Sequence, residues 1–333
     1  MRIWRFVIVA FSCCMLHGFD AETAKIIQTY RTIGLQNTAK LLDTYLQDKA
    51  FWLQILQERD TEYGYFERYK YLFISDKSLP NLMLYTISPN GKLELVKEVS
   101  ALVGKGKGNK RLSGDLTTPI GVYDFTDKLT KLPPYYGPLA YTTDYPNNYD
   151  RSLKKTGYGI WIHGLPLDGN REELNTKGCI AIDNNVLSDF GKLVDYRQAL
   201  LISYEQKIHK PSKDELAQIL AQLYGWRAAW LANDLERYLG FYSREFARPN
   251  GMKYNAFASY KRQVFAKNEE KVINFSDISV VPYPNEEHRQ MFRISFTQDY
   301  RAYKNGKSSY TSSSYKILYV IYENGDMRIV SEQ

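Results

Sequence analysis

A thiol and an imidazole sixteen residues apart give this chain its most visible route to covalent catalysis. Cys179 lies in Thr176-Lys177-Gly178-Cys179-Ile180-Ala181, and His163 in Ile160-Trp161-Ile162-His163-Gly164. The chain has three cysteines, and the other two, Cys13 and Cys14, fall in an N-terminal segment expected to be removed on export. Near neutrality a thiol is mostly protonated, whereas the thiolate is the nucleophile. A neighbouring imidazolium lowers the thiol pKa and can later protonate a leaving amine. Strand-like residues precede His163 and follow Cys179; if the two strands are neighbours, residues 165–177 loop over the site. Gly164 and Gly178 leave room for a substrate backbone, and backbone N–H groups near Gly178 and Cys179 are candidates to hold an oxyanion. An arbitrary Cys and His pair is more often a small core hydrophobe and a satisfied core histidine. The surrounding pattern decides between the two readings.

The elements that must position this pair change character along the chain. Residues 20–58 read as one helix, with Leu41, Leu42, Tyr45, Leu46, Trp52, Leu53 and Leu56 at spacings near three and four. Such a stripe either covers the domain that follows or pairs with a second copy, making this arm a homodimer contact. From Tyr69 the pattern becomes short strands, with Pro89-Asn90-Gly91-Lys92 as a hairpin signal. Strands are expected around residues 121–125, 158–162, 180–182 and 199–202, with a helix over 184–194. A linker follows, then a helix opened by the capping pair Ser212 and Glu215. It carries Trp226, Trp230, Leu231, Leu235 and Leu239, and long alternating strands complete an α+β domain.

A second motif lies upstream of the thiol: Gly104-Lys105-Gly106, then Thr117-Thr118-Pro119-Ile120-Gly121-Val122-Tyr123. Together with His163-Gly164 and Thr176-Lys177-Gly178-Cys179, residues 69–204 resemble the catalytic domain of the L,D-transpeptidase (YkuD-type) family. The resemblance implies a β-rich fold, Cys179 as nucleophile and His163 as base, with the Gly164 carbonyl orienting the imidazole. It implies action on peptidoglycan stem peptides, at the bond after the L-centre of a diamino acid. Two positions depart from the family pattern: Lys177 stands where a His is usual, and Ala181 where an Arg or Asn is usual. Alanine removes donors that would hold an acyl acceptor. Water then resolves the acyl-enzyme, and the enzyme becomes a carboxypeptidase releasing terminal D-Ala.

Farther on, Trp226, Trp230, Asp234, Tyr238, Leu239, Phe241 and Tyr242, then Tyr254, Phe257 and Tyr260, resemble nuclear-transport-factor-2-like domains, cone-shaped α+β folds with an apolar pocket. The whole chain resembles the cell-shape-determining L,D-carboxypeptidases of helical Gram-negative bacteria. The expected organisation is therefore α+β and multidomain. It comprises a signal peptide over 1–18, a helical arm over 19–66, a mostly-β catalytic domain over 67–206 and the C-terminal domain over 212–333. The resemblance implies a tetrapeptide stem containing diaminopimelate and D-Ala as substrate.

Other side chains are candidates for contact with that substrate: Thr176, Lys177 and Gly178 beside the thiol, Arg171 in the connecting loop, Lys105 in the Gly-rich loop, and Tyr141. Lys105, Lys107, Lys110 and Arg111 form a charge run of the kind that usually faces solvent. Residues 132–149 hold five tyrosines and four prolines, which suits a binding wall as well as a packed irregular segment.

Composition sets the address. The chain of 333 residues is 44% hydrophobic and 24% charged, as in a globular protein. Arg2 and Arg5 precede the apolar run that begins at Phe6, in the manner of a secretory signal. The expected location is the periplasm, with an inner-membrane anchor as the alternative if the signal stays uncleaved. Removal of the two arginines takes the formal charge from +7 to +5, which suits an anionic polymer or membrane surface. Export argues against nucleic acid as partner. A single remaining cysteine forms no intrachain disulfide. Without Cys-x-x-Cys or His-Glu-x-x-His spacing, neither metal nor other cofactor is expected. The competing readings are an L,D-transpeptidase that forms cross-links or attaches proteins, and a non-catalytic scaffold that binds cell wall or glycan.

Overall fold

The computed structural model describes residues 21–169 and 175–333; the segment read as a signal and Arg171 lie outside the described residues. The chain divides into two compact units, Met1–Tyr45 and Leu46–Gln333. Helix α1 (Ala21–Leu46) accounts for what is described of the first unit, and it leaves helical geometry at Gly34 (φ 77°, ψ 172°). The single helix expected over 20–58 is interrupted twice, first at this Gly34 kink. The chain breaks again at Gln47-Asp48 and restarts as α2 (Lys49–Leu56). The cause is Asp48, whose carboxylate accepts from Ala50 N at 2.8 Å while its backbone is extended. A short acidic side chain is better suited to capping than to a helix interior.

Helix α2 belongs to the second unit, where it packs on a C-terminal helix rather than on the domain next in sequence. Trp52 and Leu56 are buried in one core with Leu216, Leu220 and Tyr224, and Trp52 stacks on Tyr224 at 5.5 Å. This half of the apolar stripe is core packing. Strand β1 (Tyr65–Phe66), inside the expected arm, is an edge strand of the C-terminal sheet.

The middle of the chain forms an eight-stranded sheet. Its strands are β2 (Tyr71–Asp76), β3 (Asn81–Ile87), β4 (Leu93–Ser100), β5 (Gly121–Leu129), β6 (Ala140–Thr143), β7 (Trp161–His163), β8 (Ile180–Ala181) and β9 (Ala199–Tyr204), with short helix α3 (Asn148–Ser152) and α4 (Asn184–Leu193) between them. The spatial order is β4-β3-β2-β9-β5-β6-β7-β8. The parallel pairs are β2 with β9 and β7 with β8. Phe73, Phe125, Tyr141, Phe190 and Leu201 are among the buried side chains that fill its core.

The C-terminal domain opens with α5 (Lys213–Leu231), capped by the Ser212–Glu215 capping box, then α6 (Leu235–Gly240) and α7 (Tyr254–Phe265). Strands β10 (Glu270–Pro282), β11 (Met291–Lys304), β12 (Lys307–Glu323) and β13 (Asp326–Glu332) follow, in sheet order β1-β10-β11-β12-β13. Alternation along these strands serves two partners. Phe292, Ile294, Phe296, Leu318 and Val320 join the core that contains the helices. Met291, Ile317, Tyr319 and Ile321 pack against Leu72, Ile74, Val122 and Ile202 of the eight-stranded domain.

That inter-domain layer also encloses an ion pair. Fully buried Arg293 donates to Asp124 Oδ2, and Tyr69 OH donates to Asp124 Oδ1 at 2.6 Å. Arg293 also donates to Tyr69 OH at 3.2 Å. Tyr69 and Tyr315 hydroxyls are 2.8 Å apart. A guanidinium taken from water needs this density of acceptors to be tolerated.

Candidate active site

The pairing of β7 with β8 brings the two reactive side chains together. Ile162 is opposite Ile180, and His163 opposite Ala181, in parallel register. His163 ends one strand and Cys179 precedes the other, and both line a cleft of about 320 Å³. The thiol is half-buried, and its S–H donates to the Gly159 carbonyl at 3.3 Å.

His163 is buried, and its Nδ1 lies 2.7 Å from the Gly164 carbonyl. A carbonyl only accepts, so this contact places the proton on Nδ1 and leaves Nε2 as the basic nitrogen of the neutral ring. The carbonyl is itself held in place. Gly164 N donates to Tyr136 O at 2.9 Å. Asn184, in the first turn of α4, accepts from Leu165 N at 2.8 Å and donates to Leu165 O at 3.1 Å. The crowding explains the glycine: a Cβ at Gly164 would lie 2.2 Å from Asn184 Oδ1. The Tyr136 ring meets His163 edge-on, with centroids 5.1 Å apart.

Cys179 is held by a different network. Thr176 Oγ1 accepts from Gly178 N at 3.1 Å and donates to Cys179 O at 2.6 Å. Thr176 N reaches Val103 O at 2.8 Å, and Leu102 and Ala181 exchange two backbone bonds of 2.7 and 2.8 Å. Gly178 (φ +129°) has no space for a side chain, since a Cβ would meet Thr117 O at 2.8 Å. The Gly178 N–H, expected as an oxyanion donor, is instead directed at Thr176.

Thr176 and Lys177 both line the cleft, the first buried and the second exposed. Three expected contacts do not: Gly178, Lys105 and Tyr141. Lys105 is exposed and lies outside the cleft lining. A Cβ at Gly104 or at Gly106 would run into residues 115–118, so strand alternation turns the residue between them the other way. Lys110 lines the cleft in its place, with its ammonium on Asp115 Oδ1 at 2.6 Å. Burial opposes ionisation of Asp115, but Lys110 and the N–H groups of Arg111, Leu112 and Thr117 outweigh it and hold the carboxyl down at about 2. Tyr141 is wholly buried, and its hydroxyl donates to Phe190 O at 3.0 Å. It is a core residue.

The tyrosine-rich segment divides between the two roles expected of it. Tyr135 and Tyr136 line the cleft, whereas Tyr141 and Tyr145 are buried in the core. Tyr158, between the positive-φ glycines Gly157 and Gly159, also lines the cleft and is 85% exposed. Asn184 and Tyr158 were missed from sequence. Asn184 had no signal beyond its place at a helix start; Tyr158 had its two flanking glycines. Among the described residues, no group of three or more His, Cys, Asp or Glu is placed to hold a metal ion.

A second cavity, of about 550 Å³, lies in the C-terminal domain, lined among others by Trp230, Arg248, Tyr260, Lys261, Lys316 and Glu332. Lys261 is buried under Trp230, Tyr238 and Phe257. Burial pushes its ammonium down to about 8, with Glu332 opposing.

Residues 70–202 match the L,D-transpeptidase catalytic domain family. Residues 218–333 match the Cds6 C-terminal NTF2-like domain family. Among solved structures, the helical cell shape determining protein Pgp2 of Campylobacter jejuni is 39% identical, with a TM-score of 0.79 over 86% of this chain and 100% of that one. Its K307A mutant superposes with a TM-score of 0.80 at 37% identity, over 87% and 99%. Bd1075 of Bdellovibrio bacteriovorus shares the fold at 23% identity, with a TM-score of 0.64 over 82% and 97%. No curated protein sequence matches at a significant level.

Proposed function

The chain belongs to the family of the helical cell shape determining protein Pgp2, and from that premise we propose that it is a cysteine L,D-carboxypeptidase of peptidoglycan. Its catalytic domain is L,D-transpeptidase-like. The substrate proposed is a tetrapeptide stem, the products are a tripeptide stem and D-Ala, and the consequence is an effect on cell shape. Residues 1–18 would direct the protein to the periplasm, where that substrate lies.

One arrangement carries the reading. His163 and Cys179 sit at the ends of paired strands in one cleft, with the imidazole proton committed to Gly164 O. His163 Nε2 takes the thiol proton, and the thiolate attacks the carbonyl of the amide before D-Ala. The imidazolium then gives its proton to the departing amine as the C–N bond breaks, leaving a thioester on Cys179. Water, deprotonated by the same Nε2, attacks the thioester. The tripeptide carboxylate leaves and the thiol is restored.

Hydrolysis is favoured over transfer by position 181. Ala181 is buried and its methyl carries no donor, so it offers nothing to hold the carboxylate of an acceptor stem. The test is mass analysis of disaccharide-tetrapeptide incubated with the protein, with a tripeptide acceptor present. Loss of one alanine supports the carboxypeptidase. A cross-linked mass makes it a transpeptidase. No change in either moves the weight to a binding role, for which the C-terminal cavity is the site.

A further inference from the structure

Resting on the reading of the cleft as a peptidase site, we infer that Glu286 of the C-terminal domain is a positioning residue for the catalytic cleft. Glu286 lies in the connection between β10 and β11. Its Oε1 accepts from Asn109 N at 2.7 Å, and its Oε2 from the Arg111 guanidinium. Both partners are in the Gly-rich loop of the catalytic domain. The approach is close: a Cβ at Gly108 (φ +69°) would lie 3.0 Å from Glu286 Oε1.

The loop held by this carboxylate is cross-linked by hydrogen bonds of its own and leads into the cleft wall. The Asn109 side chain grips Ile120 through both backbone groups, at 2.8 and 3.2 Å, which anchors the loop to the start of β5. Lys110, between the two residues that Glu286 holds, donates to Asp115 at 2.6 Å and to Leu112 O at 3.1 Å. Asp115 in turn accepts from Arg111 N at 2.7 Å and Leu112 N at 3.0 Å. Lys110, Ser113, Gly114 and Leu116 then form part of the cleft lining, together with Cys179 and His163. One wall of the cleft is therefore fastened by a residue from the other domain.

The pair with Arg111 is not what fastens it, because that guanidinium side chain is 68% exposed and exposed ion pairs contribute little. The charge-assisted bond from Asn109 N is the stronger one. Cys179 and His163 have their own supports in Thr176 and Gly164. Losing Glu286 therefore affects how substrate is held and leaves the thiol chemistry in place.

The test compares the full chain with Glu286→Ala, Glu286→Gln and, as control, Glu287→Ala. Hydrogen exchange over residues 104–116 and steady-state alanine release from disaccharide-tetrapeptide are both read. Glu286→Ala is expected to raise loop exchange about 10-fold and KM about 3- to 10-fold, with kcat within about 2-fold of the parent. Glu286→Gln keeps an oxygen for Asn109 N and falls between; Glu287→Ala matches the parent. Unchanged loop exchange, an unchanged KM, or an equal effect in Glu287→Ala overturns the inference. A parent that releases no alanine defeats the carboxypeptidase reading instead, and loop exchange then decides the role of Glu286 alone.

Discussion

The Asn184 side chain satisfies both backbone groups of Leu165, accepting from its N–H at 2.8 Å and donating to its carbonyl at 3.1 Å. The first of these bonds fixes the peptide that carries the Gly164 carbonyl, on which the His163 tautomer depends. Asn184→Ala leaves two backbone groups without their partner. A loss of about 1–3 kcal/mol in stability is expected, read by denaturant unfolding. Alanine release is expected to fall about 10- to 100-fold in kcat, with KM little changed. A variant with parental kcat would show that the Leu165 clasp does not serve the base.

Thr176 does the same for the nucleophile. Thr176→Val keeps the shape but removes the hydroxyl that accepts from Gly178 N and donates to Cys179 O. The turn carrying the thiol then loses both restraints. Alkylation of Cys179 by iodoacetamide, followed against pH, is expected to show a displaced profile and alanine release to fall about 10-fold or more. Thr176→Ser is expected to recover most of the activity. A serine variant as impaired as the valine one would assign the defect to packing.

Arg293→Met removes one partner of the buried inter-domain pair and leaves Asp124 without its cation. A loss of about 3–5 kcal/mol is expected, because an uncompensated carboxylate stays in the interface. Asp124→Asn with Arg293→Met removes both charges and is expected to recover much of that loss. A double-mutant cycle in urea checks this, and additivity of the two changes would contradict it.

Lys261 sets a pH dependence for the C-terminal domain. Its folded value, about 8, lies below its ordinary 10.5. Between these values the unfolded chain holds the proton and the folded one does not, so stability rises with pH across that window. Below about 8 both states are charged and the burial cost is present in full. From about pH 7 to about pH 10, the parent is expected to gain about 2 kcal/mol relative to Lys261→Met. Parallel stability curves for the two proteins would refute this.

Much of the scaffold was legible because it follows from periodicity and glycine placement. The hairpin at Asn90-Gly91, the capping box at Ser212 and Glu215, and the strands bordering His163 and Cys179 each have a local signature. What was not legible depends on contacts distant in sequence. Lys105 and Lys110 sit in one basic loop, and the packing of Gly104 and Gly106 on residues 115–118 and the Lys110–Asp115 pair settle which of them reaches the cleft. Tyr136 and Tyr141 look alike in a tyrosine- and proline-rich segment, yet one meets His163 and the other Phe190. The inter-domain layer did leave a trace. Leu318-Tyr319-Val320-Ile321-Tyr322 shows no polar alternation, as expected of a strand covered on both faces. Which domain covers it was not written there.

The central claim is that Cys179 forms an acyl-enzyme that water resolves. It is tested most directly by running the reaction in ¹⁸O-labelled water on purified disaccharide-tetrapeptide. One labelled oxygen in the new tripeptide carboxylate, none in the released alanine, and no product from Cys179→Ala are the expected results. Alanine release that persists in Cys179→Ala, or a shortened stem without label, would contradict the account.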